Sequence, residues 1–255
     1  MRPMTLPRDV QEFLDGYPHG GNDPRQSANL GFYSNTLRCR PDDHLVEEIH
    51  EQCGKGITIS SNESTASFNG CKFPIREHGM NFESQPLQPH EIAAIKADPR
   101  ALERLLASYR LMLDFYGMRL VSEETGAVDR ALPPRNYAPR YENLVRSSHN
   151  YLRISRILKC LSEFGFERMN AGFLLHVLNE QSESNALNTP GLCSSMDRWW
   201  ANCIRNQEER EWVRGIIAKV RQDDGYVFTR EMYTAALDQR LETGSFRDED
   251  VKAEL

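Results

Sequence analysis

The chain has 255 residues, of which 39% are hydrophobic and 27% are charged, and its formal net charge at pH 7 is −6. This length can bury a substantial core as one large domain or as two closely packed ones. The acidic balance argues against a nucleic-acid partner, and no apolar run approaches the ~20 residues that a membrane-spanning helix needs.

The first half of the chain predicts helices on both sides of one long loop. Residues 54–90 are rich in Gly, Ser, Asn and Pro without a regular period, so we expect a loop there, with a short strand at 57–59. Asp98-Pro99 is the clearest start signal, because an acidic N-cap precedes a proline suited to the first helical position. The helices predicted in this half lie at residues 8–14, 43–52, 90–97 and 99–116.

The second half of the chain also predicts helices. A proline-containing loop is expected at residues 121–139, and a Ser-, Asn- and Gly-containing linker at 181–194 is the best candidate for a boundary. Helices are predicted at residues 147–164, near 172–179, and in three segments after residue 195, the last beginning at Thr229. The predicted fold class is mainly α: a single multi-helix globular domain with a long loop (54–90) and a C-terminal helical extension.

The motif content predicts neither a metal site nor a cofactor. The six cysteines show no C-x-x-C spacing, and no P-loop, Gly-rich dinucleotide turn or H-E-x-x-H motif occurs. The N-terminus lacks the apolar stretch of a secretory signal, so the cysteines are expected to be reduced. These features predict an intracellular protein, cytoplasmic or nuclear.

The most informative segment is the predicted helix at residues 147–164. His149, Arg153 and Arg156 follow one another at i, i+4 and i+7, which places them on one polar stripe beside an apolar face. The arginines could bind a carboxylate or phosphate, and His149 could act as a proton switch near neutral pH. Alternatively, the same side chains satisfy buried groups of neighbouring helices. The sequence leaves both interpretations open.

A set of motifs in a fixed order carries a family resemblance. They are Asn29-Leu30-x-Phe32-Tyr33-x-Asn35, Phe73-Pro74-x-Arg76-Glu77-x-Gly79-x-Asn81, Tyr109-x-x-Met112-Leu113-x-Phe115-Tyr116-Gly117-x-Arg119-Leu120, and Asn136-Tyr137-x-x-Arg140-Tyr141-x-Asn143-Leu144. A helix that begins with Ser148-His149-Asn150 follows them. Over residues 29–180 the chain resembles the opioid growth factor receptor conserved-domain family.

The resemblance implies a domain division and a class of function. It suggests an N-terminal segment at 1–28, the conserved domain at 29–180 and a helical extension at 195–255. The founding member of the family is described as a receptor for Met-enkephalin that acts in growth control at the nucleus and nuclear envelope. We therefore expect a soluble, receptor-like module that binds a small molecule, a peptide or a protein.

The family brings no established binding residues, so the candidates come from this chain alone. They are polar or aromatic side chains of the helix at 147–164 and of the motifs preceding it. The ligand-binding candidates are Tyr109, Tyr116, Arg119, Tyr141, Asn143, His149, Asn150, Arg153 and Arg156.

The alternative hypothesis is a cofactor-independent enzyme of the cyclase, isomerase or addition type. Its all-α body would enclose an apolar pocket of about 300–1,000 Å³. The proton donors and hydrogen-bond anchors would be Asp114, Tyr116, His149 and Arg153. A deep pocket with those side chains converging inside it would favour the enzyme over the binding module.

Overall fold

The computed structural model describes residues 6–40, 43–54, 73–78 and 84–247. This part of the chain contains eleven α-helices, one short 3₁₀ helix and one two-stranded sheet. The predicted mainly α fold class is therefore confirmed. Most of the predicted loop at 54–90, including the predicted strand at 57–59, lies outside the described residues, and residues 73–78 and 84–88 contain neither helix nor strand.

The helices follow one another along the chain as α1 (Arg8–Leu14), α2 (Ala28–Tyr33), α3 (Val46–Gly54), α4 (Pro89–Ala97), α5 (Pro99–Phe115), α6 (Tyr137–Arg146), α7 (His149–Glu163), α8 (Glu167–Glu183), α9 (Pro190–Arg198), α10 (Gln207–Gln222) and α11 (Arg230–Thr243). The strands β1 (Met118–Leu120) and β2 (Val128–Arg130) form an antiparallel hairpin between α5 and α6, with Arg119 opposite Asp129.

The chain divides into two compact units. The larger one comprises Met1–Asp15, Tyr116–Ser162 and Phe166–Leu255, and the smaller one comprises Gly16–Phe115 and Glu163–Gly165. Residues 181–194, which the sequence marks as a candidate boundary, lie inside the larger unit, and only 184–189 connect α8 to α9. Residues 181–183 belong to α8, and α9 begins at Pro190 rather than after residue 195 as predicted, because Pro190 suits the first helical position.

The smaller unit is organised around the fully buried carboxylate of Glu91, in the first turn of α4. Its Oε1 accepts hydrogen bonds from the backbone N–H groups of Asn29 (2.9 Å) and Leu30 (3.1 Å). Its Oε2 accepts from the side chains of Asn29 (2.8 Å) and Gln85 (3.0 Å) and from the backbone of Gln88 (3.0 Å). The first backbone N–H groups of a helix have no acceptor within the helix. The Glu91 carboxylate therefore accepts hydrogen bonds from backbone N–H groups at the N-termini of both α2 and α4.

The larger unit is built around α8. All residues from 169 to 181 are buried, including polar ones. Each polar side chain needs a partner at such a position: the Asn170 side chain donates to the Leu158 carbonyl at 2.9 Å, and the Asn179 side chain donates to the Phe228 carbonyl at 3.0 Å. The helix α8 is therefore the centre of the larger unit, and β2, α10 and α11 pack against it.

The hairpin packs against α8 by direct backbone contact. Gly126, in the β1–β2 connection, has a φ of +78°, a conformation that suits glycine. Its carbonyl group lies against Gly172 of α8, where a Cβ atom would be only 2.5 Å from the Gly126 carbonyl carbon. The Tyr233 hydroxyl of α11 completes this junction, since it accepts from the Val128 N–H at 2.7 Å and lies 3.2 Å from the carbonyl oxygens of Val128 and Gly172.

Several elements differ from the sequence-based expectations. The predicted loop at 121–139 contains β2 and the start of α6, and the short helix expected near 172–179 is the 17-residue α8. The predicted start at Thr229 is confirmed, because the Thr229 side chain accepts a hydrogen bond from the Met232 N–H and caps α11.

Candidate functional site

The candidate stripe lies at the start of α7, in the larger unit. Its apolar face is buried as predicted, with Ile154, Ile157, Leu158 and Leu161 in the core. The first residue of the helix, His149, is exposed, whereas its neighbour Asn150 is 1% exposed. The buried polar side chain at the start of α7 is therefore that of Asn150, which lies outside the predicted stripe of His149, Arg153 and Arg156.

Asn150 and Arg153 form a hydrogen-bonded pair one helical turn apart. Arg153 Nη1 donates to Asn150 Oδ1 at 3.0 Å. The other polar atom of the amide, Nδ2, is buried and has no acceptor among the described residues. Arg153 is partly buried. In the described part of the larger unit, no carboxylate oxygen lies within 4.0 Å of its guanidinium nitrogens, the distance that defines an ion pair. The pair thus presents an amide donor without an acceptor and a guanidinium without an ion pair, as judged from the described residues of the larger unit.

Tyr116 is near enough to Arg153 for the arginine charge to act on its hydroxyl. It is 2% exposed, and burial raises the pKa of its hydroxyl above the usual value, while the nearby charge of Arg153 acts in the opposite direction. The phenol is therefore protonated at neutral pH, so it can exchange hydrogen bonds but cannot serve as a general base there. Of the sequence-predicted residues, the structure joins Asn150 and Arg153 by a hydrogen bond, and the charge of Arg153 acts on Tyr116.

The remaining candidates of α6 and α7 are less buried. Asn143 is partly exposed in the last turn of α6, where its carbonyl accepts the Ser147 N–H at 3.0 Å. Arg156 is partly buried. His149 makes no hydrogen bond or ion pair with the described residues of the larger unit.

Two candidates contact a different part of the larger unit. Arg119 pairs with Asp129 across the hairpin at 3.0 Å, and its Nε donates to the Arg130 carbonyl at 3.2 Å. The Tyr141 hydroxyl lies 3.0 Å from His176 Nε2 in the core. Both side chains therefore have structural partners.

Two further candidates, Tyr109 and Asp114, lie on α5 in the smaller unit. Tyr109 is buried and Asp114 is partly exposed.

A buried polar network that the sequence analysis did not predict joins α8 to β2 and α6. Arg130 donates to both oxygens of the buried Glu180 carboxylate, at 2.7 and 2.6 Å, and to the Tyr137 hydroxyl at 3.1 Å. His176, one turn before Glu180, is completely buried, and its Nδ1 has no partner among the described residues. The available signal was a single histidine inside the apolar run at 173–178, with an acid four residues later.

Burial lowers the pKa of His176 to about 3, and Arg230 acts in the same direction. The imidazole is therefore neutral at physiological pH. The titratable and charged groups that surround it are Tyr141 from α6, Glu180 from α8, Asp129 and Arg130 from β2, and Arg230 and Tyr233 from α11.

The buried histidine predicts that acid destabilises the fold. An unfolded histidine binds a proton near pH 6.5, but the folded one does so only near pH 3, so stability is complete above pH 6.5 and falls as the pH decreases. We expect His176 to cost about 2 kcal/mol of unfolding free energy between pH 7 and pH 5. Urea titrations at several pH values measure this slope.

The matched variant is His176→Gln, which cannot titrate in this range. The variant should show a shallower decline between pH 7 and pH 5 than the wild-type chain, even if its absolute stability is lower. Parallel curves for the two proteins would contradict the assignment.

No group of three or more His, Cys, Asp or Glu residues in the described part of the chain is arranged to hold a metal ion. None of the described helices is both long and apolar enough to cross a membrane.

Similarity to known proteins decides the family. A model described as the opioid growth factor receptor (OGFr) conserved region matches residues 22–232. The chain belongs to the OGFr family. The match extends beyond residue 180 and includes α9, α10 and the start of α11.

Curated relatives carry the same family name. The opioid growth factor receptor-like protein 1 of Rattus norvegicus is 34% identical over 211 residues, and the opioid growth factor receptor of Mus musculus is 37% identical over 205 residues. These alignments cover 82% and 80% of this chain but 44% and 31% of the relatives. The chain thus spans less than half the length of these OGFr relatives. No solved structure matches it.

Proposed function

We propose that this OGFr-family chain is a noncatalytic binding module whose ligand presents a carboxylate or carbonyl oxygen to Asn150 and Arg153. The observation that carries the proposal is the buried Asn150 Nδ2, which has no acceptor among the described residues, next to the partly buried Arg153 guanidinium. A buried donor without an acceptor costs about 1–3 kcal/mol. A ligand oxygen at this position would recover that cost.

Guanidinium chemistry favours an anionic ligand group over a neutral one. A hydrogen bond from an arginine to a carboxylate is charge-assisted and contributes about 1.5–3 kcal/mol. Asn150 holds one guanidinium nitrogen in place, so less side-chain freedom is lost when a ligand binds.

The names of the relatives suggest the ligand class. The relative in Mus musculus is by name a receptor for an opioid growth factor, and the family resemblance implies the peptide Met-enkephalin as such a ligand. A peptide provides backbone carbonyls and a terminal carboxylate. We therefore propose a peptide ligand, with its carboxylate at Arg153. The cytoplasm or nucleus is the proposed compartment, and the absence of a disulfide bond at Cys39, Cys160, Cys193 and Cys203 within the described residues supports it.

The alternative of a cofactor-independent enzyme would require His149 inside an enclosed pocket with Tyr116 and Arg153. His149 is exposed, and the raised pKa of the Tyr116 phenol makes it a weaker proton donor than an ordinary tyrosine. These two observations favour the binding module.

Calorimetric titration with Met-enkephalin and with its C-terminal amide tests the proposal. The wild-type chain should bind the free acid at least about tenfold more tightly than the amide, because the amide lacks the charge that Arg153 recognises. Arg153→Gln should reduce the affinity for the free acid to that for the amide.

Arg146→Gln is the matched control, since the Arg146 side chain is 79% exposed and pairs only loosely with Glu142 at 3.6 Å. It should bind both peptides as the wild-type chain does, and circular dichroism should show that both variants fold. Failure of the wild-type chain to bind either peptide, or equal affinity for both, would refute the proposal.

A further inference from the structure

An open surface cleft of about 430 Å³ lies in the larger unit, between the β1–β2 connection, the first turn of α8 and the last turn of α11. Its lining residues are Glu123, Glu124, Arg168, Arg240 and Leu241. None of them belongs to the ligand set discussed above. The cleft is therefore a separate candidate site, lined by two acids, two arginines and one leucine.

Arg168 is fixed in the cleft without an ion-pair partner. Its Nε donates to the Glu123 carbonyl at 2.6 Å, and its guanidinium carbon lies 5.3 Å from the centre of the Phe166 ring. In the described part of the larger unit, no carboxylate oxygen lies within 4.0 Å of the Arg168 guanidinium nitrogens, so Arg168 forms no salt bridge there. The two Nη groups thus remain available to an anion.

Arg240 contributes charge to the cleft but is already paired with a carboxylate. Its Nε and Nη2 donate to the two oxygens of the buried Glu209 carboxylate, at 2.9 and 3.1 Å. Its guanidinium also lies 5.7 Å from the Phe246 ring centre. Burial and then the charge of Arg240 lower the pKa of Arg168, while the charge of Glu123 acts in the opposite direction. An anion bound at Arg168 would relieve this repulsion.

The rest of the lining has a different character. Glu123 and Glu124 are exposed and suit a cationic group, whereas Leu241 is 52% exposed and offers apolar surface. A purely anionic ligand would be repelled by the two acids, and a purely cationic one by the arginines. A ligand with both charges and an apolar part matches all of the lining.

We propose that this cleft binds a small zwitterion of the amino-acid class with an aliphatic side chain. Its carboxylate contacts Arg168, its ammonium group contacts Glu123 or Glu124, and its side chain covers Leu241. The cleft is shallow and open, so the affinity is modest.

Three probes separate the charges of the ligand: L-leucine, N-acetyl-L-leucine, which lacks the ammonium group, and L-leucinamide, which lacks the carboxylate. In NMR titrations of the full chain, leucine should cause saturable shifts of the Arg168 side-chain N–H and Leu241 methyl signals. Each blocked probe should bind about tenfold more weakly or not at all, because each loses one charge-assisted contact.

Arg168→Gln should abolish leucine binding, and Arg8→Gln should leave it unchanged, because the Arg8 side chain is 92% exposed and lies outside the cleft lining. Leu241→Ser provides a second test at a position that is 52% exposed, and it should weaken binding several-fold. The proposal is overturned if leucine causes no saturable shift, if the blocked probes bind equally well, or if folded Arg168→Gln and Leu241→Ser both bind as the wild-type chain does.

Discussion

Replacing Gly172 by alanine is expected to lower the free energy of unfolding by about 3 kcal/mol or more, although alanine is the better helix former. A Cβ atom at this position would overlap the carbonyl oxygen of Gly126 and lie 2.5 Å from its carbonyl carbon. Both are backbone atoms, so the hairpin itself would have to move away from α8. Urea denaturation of the variant measures the effect.

Gly215 of α10 is the matched control, because it is also a mid-helix glycine but has no atom within 4 Å of its would-be Cβ. Gly215→Ala should therefore stabilise the chain by about 0.5–1 kcal/mol through helix propensity alone. If the two alanine variants changed stability in the same direction, the close contact between the hairpin and α8 would be wrong.

Replacing Glu91 by glutamine is expected to cost about 3 kcal/mol or more. Each carboxylate oxygen of Glu91 accepts at least two hydrogen bonds from Asn29, Leu30, Gln85 and Gln88. Glutamine has the same shape, but one of its terminal atoms is a donor, which would face N–H groups wherever it points. The loss combines buried donors left unsatisfied, at about 1–3 kcal/mol each, with the loss of charge-assisted bonds.

Glu103→Gln is the corresponding control in the same unit, since Glu103 is exposed on α5. It should change stability by less than about 0.5 kcal/mol. Thermal unfolding followed by circular dichroism compares the two variants, and equal melting temperatures would show that the Glu91 carboxylate does not hold α2 to α4.

Helices with one apolar face were predictable from the sequence. The spacing of Ile154, Ile157, Leu158 and Leu161 predicted α7, and all four side chains are buried. In contrast, α8 has no exposed face over residues 169–181, so it lacks the contrast between apolar and polar sides that reveals a helix. Only its most apolar part was therefore predicted.

The missed elements have local causes. Each strand of the hairpin has three residues, too few to show an alternating pattern. Pro139 suggested a loop, but a proline is tolerated in the first turn of a helix, and that is its position in α6.

The sequence predicted which candidate residues share a helix face, but it did not predict which side chains they contact. The i, i+4, i+7 spacing placed His149, Arg153 and Arg156 on α7, yet the buried donor of the cluster belongs to Asn150. The contact of Tyr141 with His176 joins residues 35 positions apart, so neither side chain reveals it locally. Long-range packing decides which polar side chains meet.

The position of Tyr233 determines where a stable fragment of this protein can end. Sequence similarity to the family ends at residue 232, one position before this tyrosine and inside α11. A fragment cut at that limit would lose the phenol that bridges Val128 of the hairpin and Gly172 of the central helix. The packing of the hairpin against α8 thus depends on a residue that lies beyond the end of the family match.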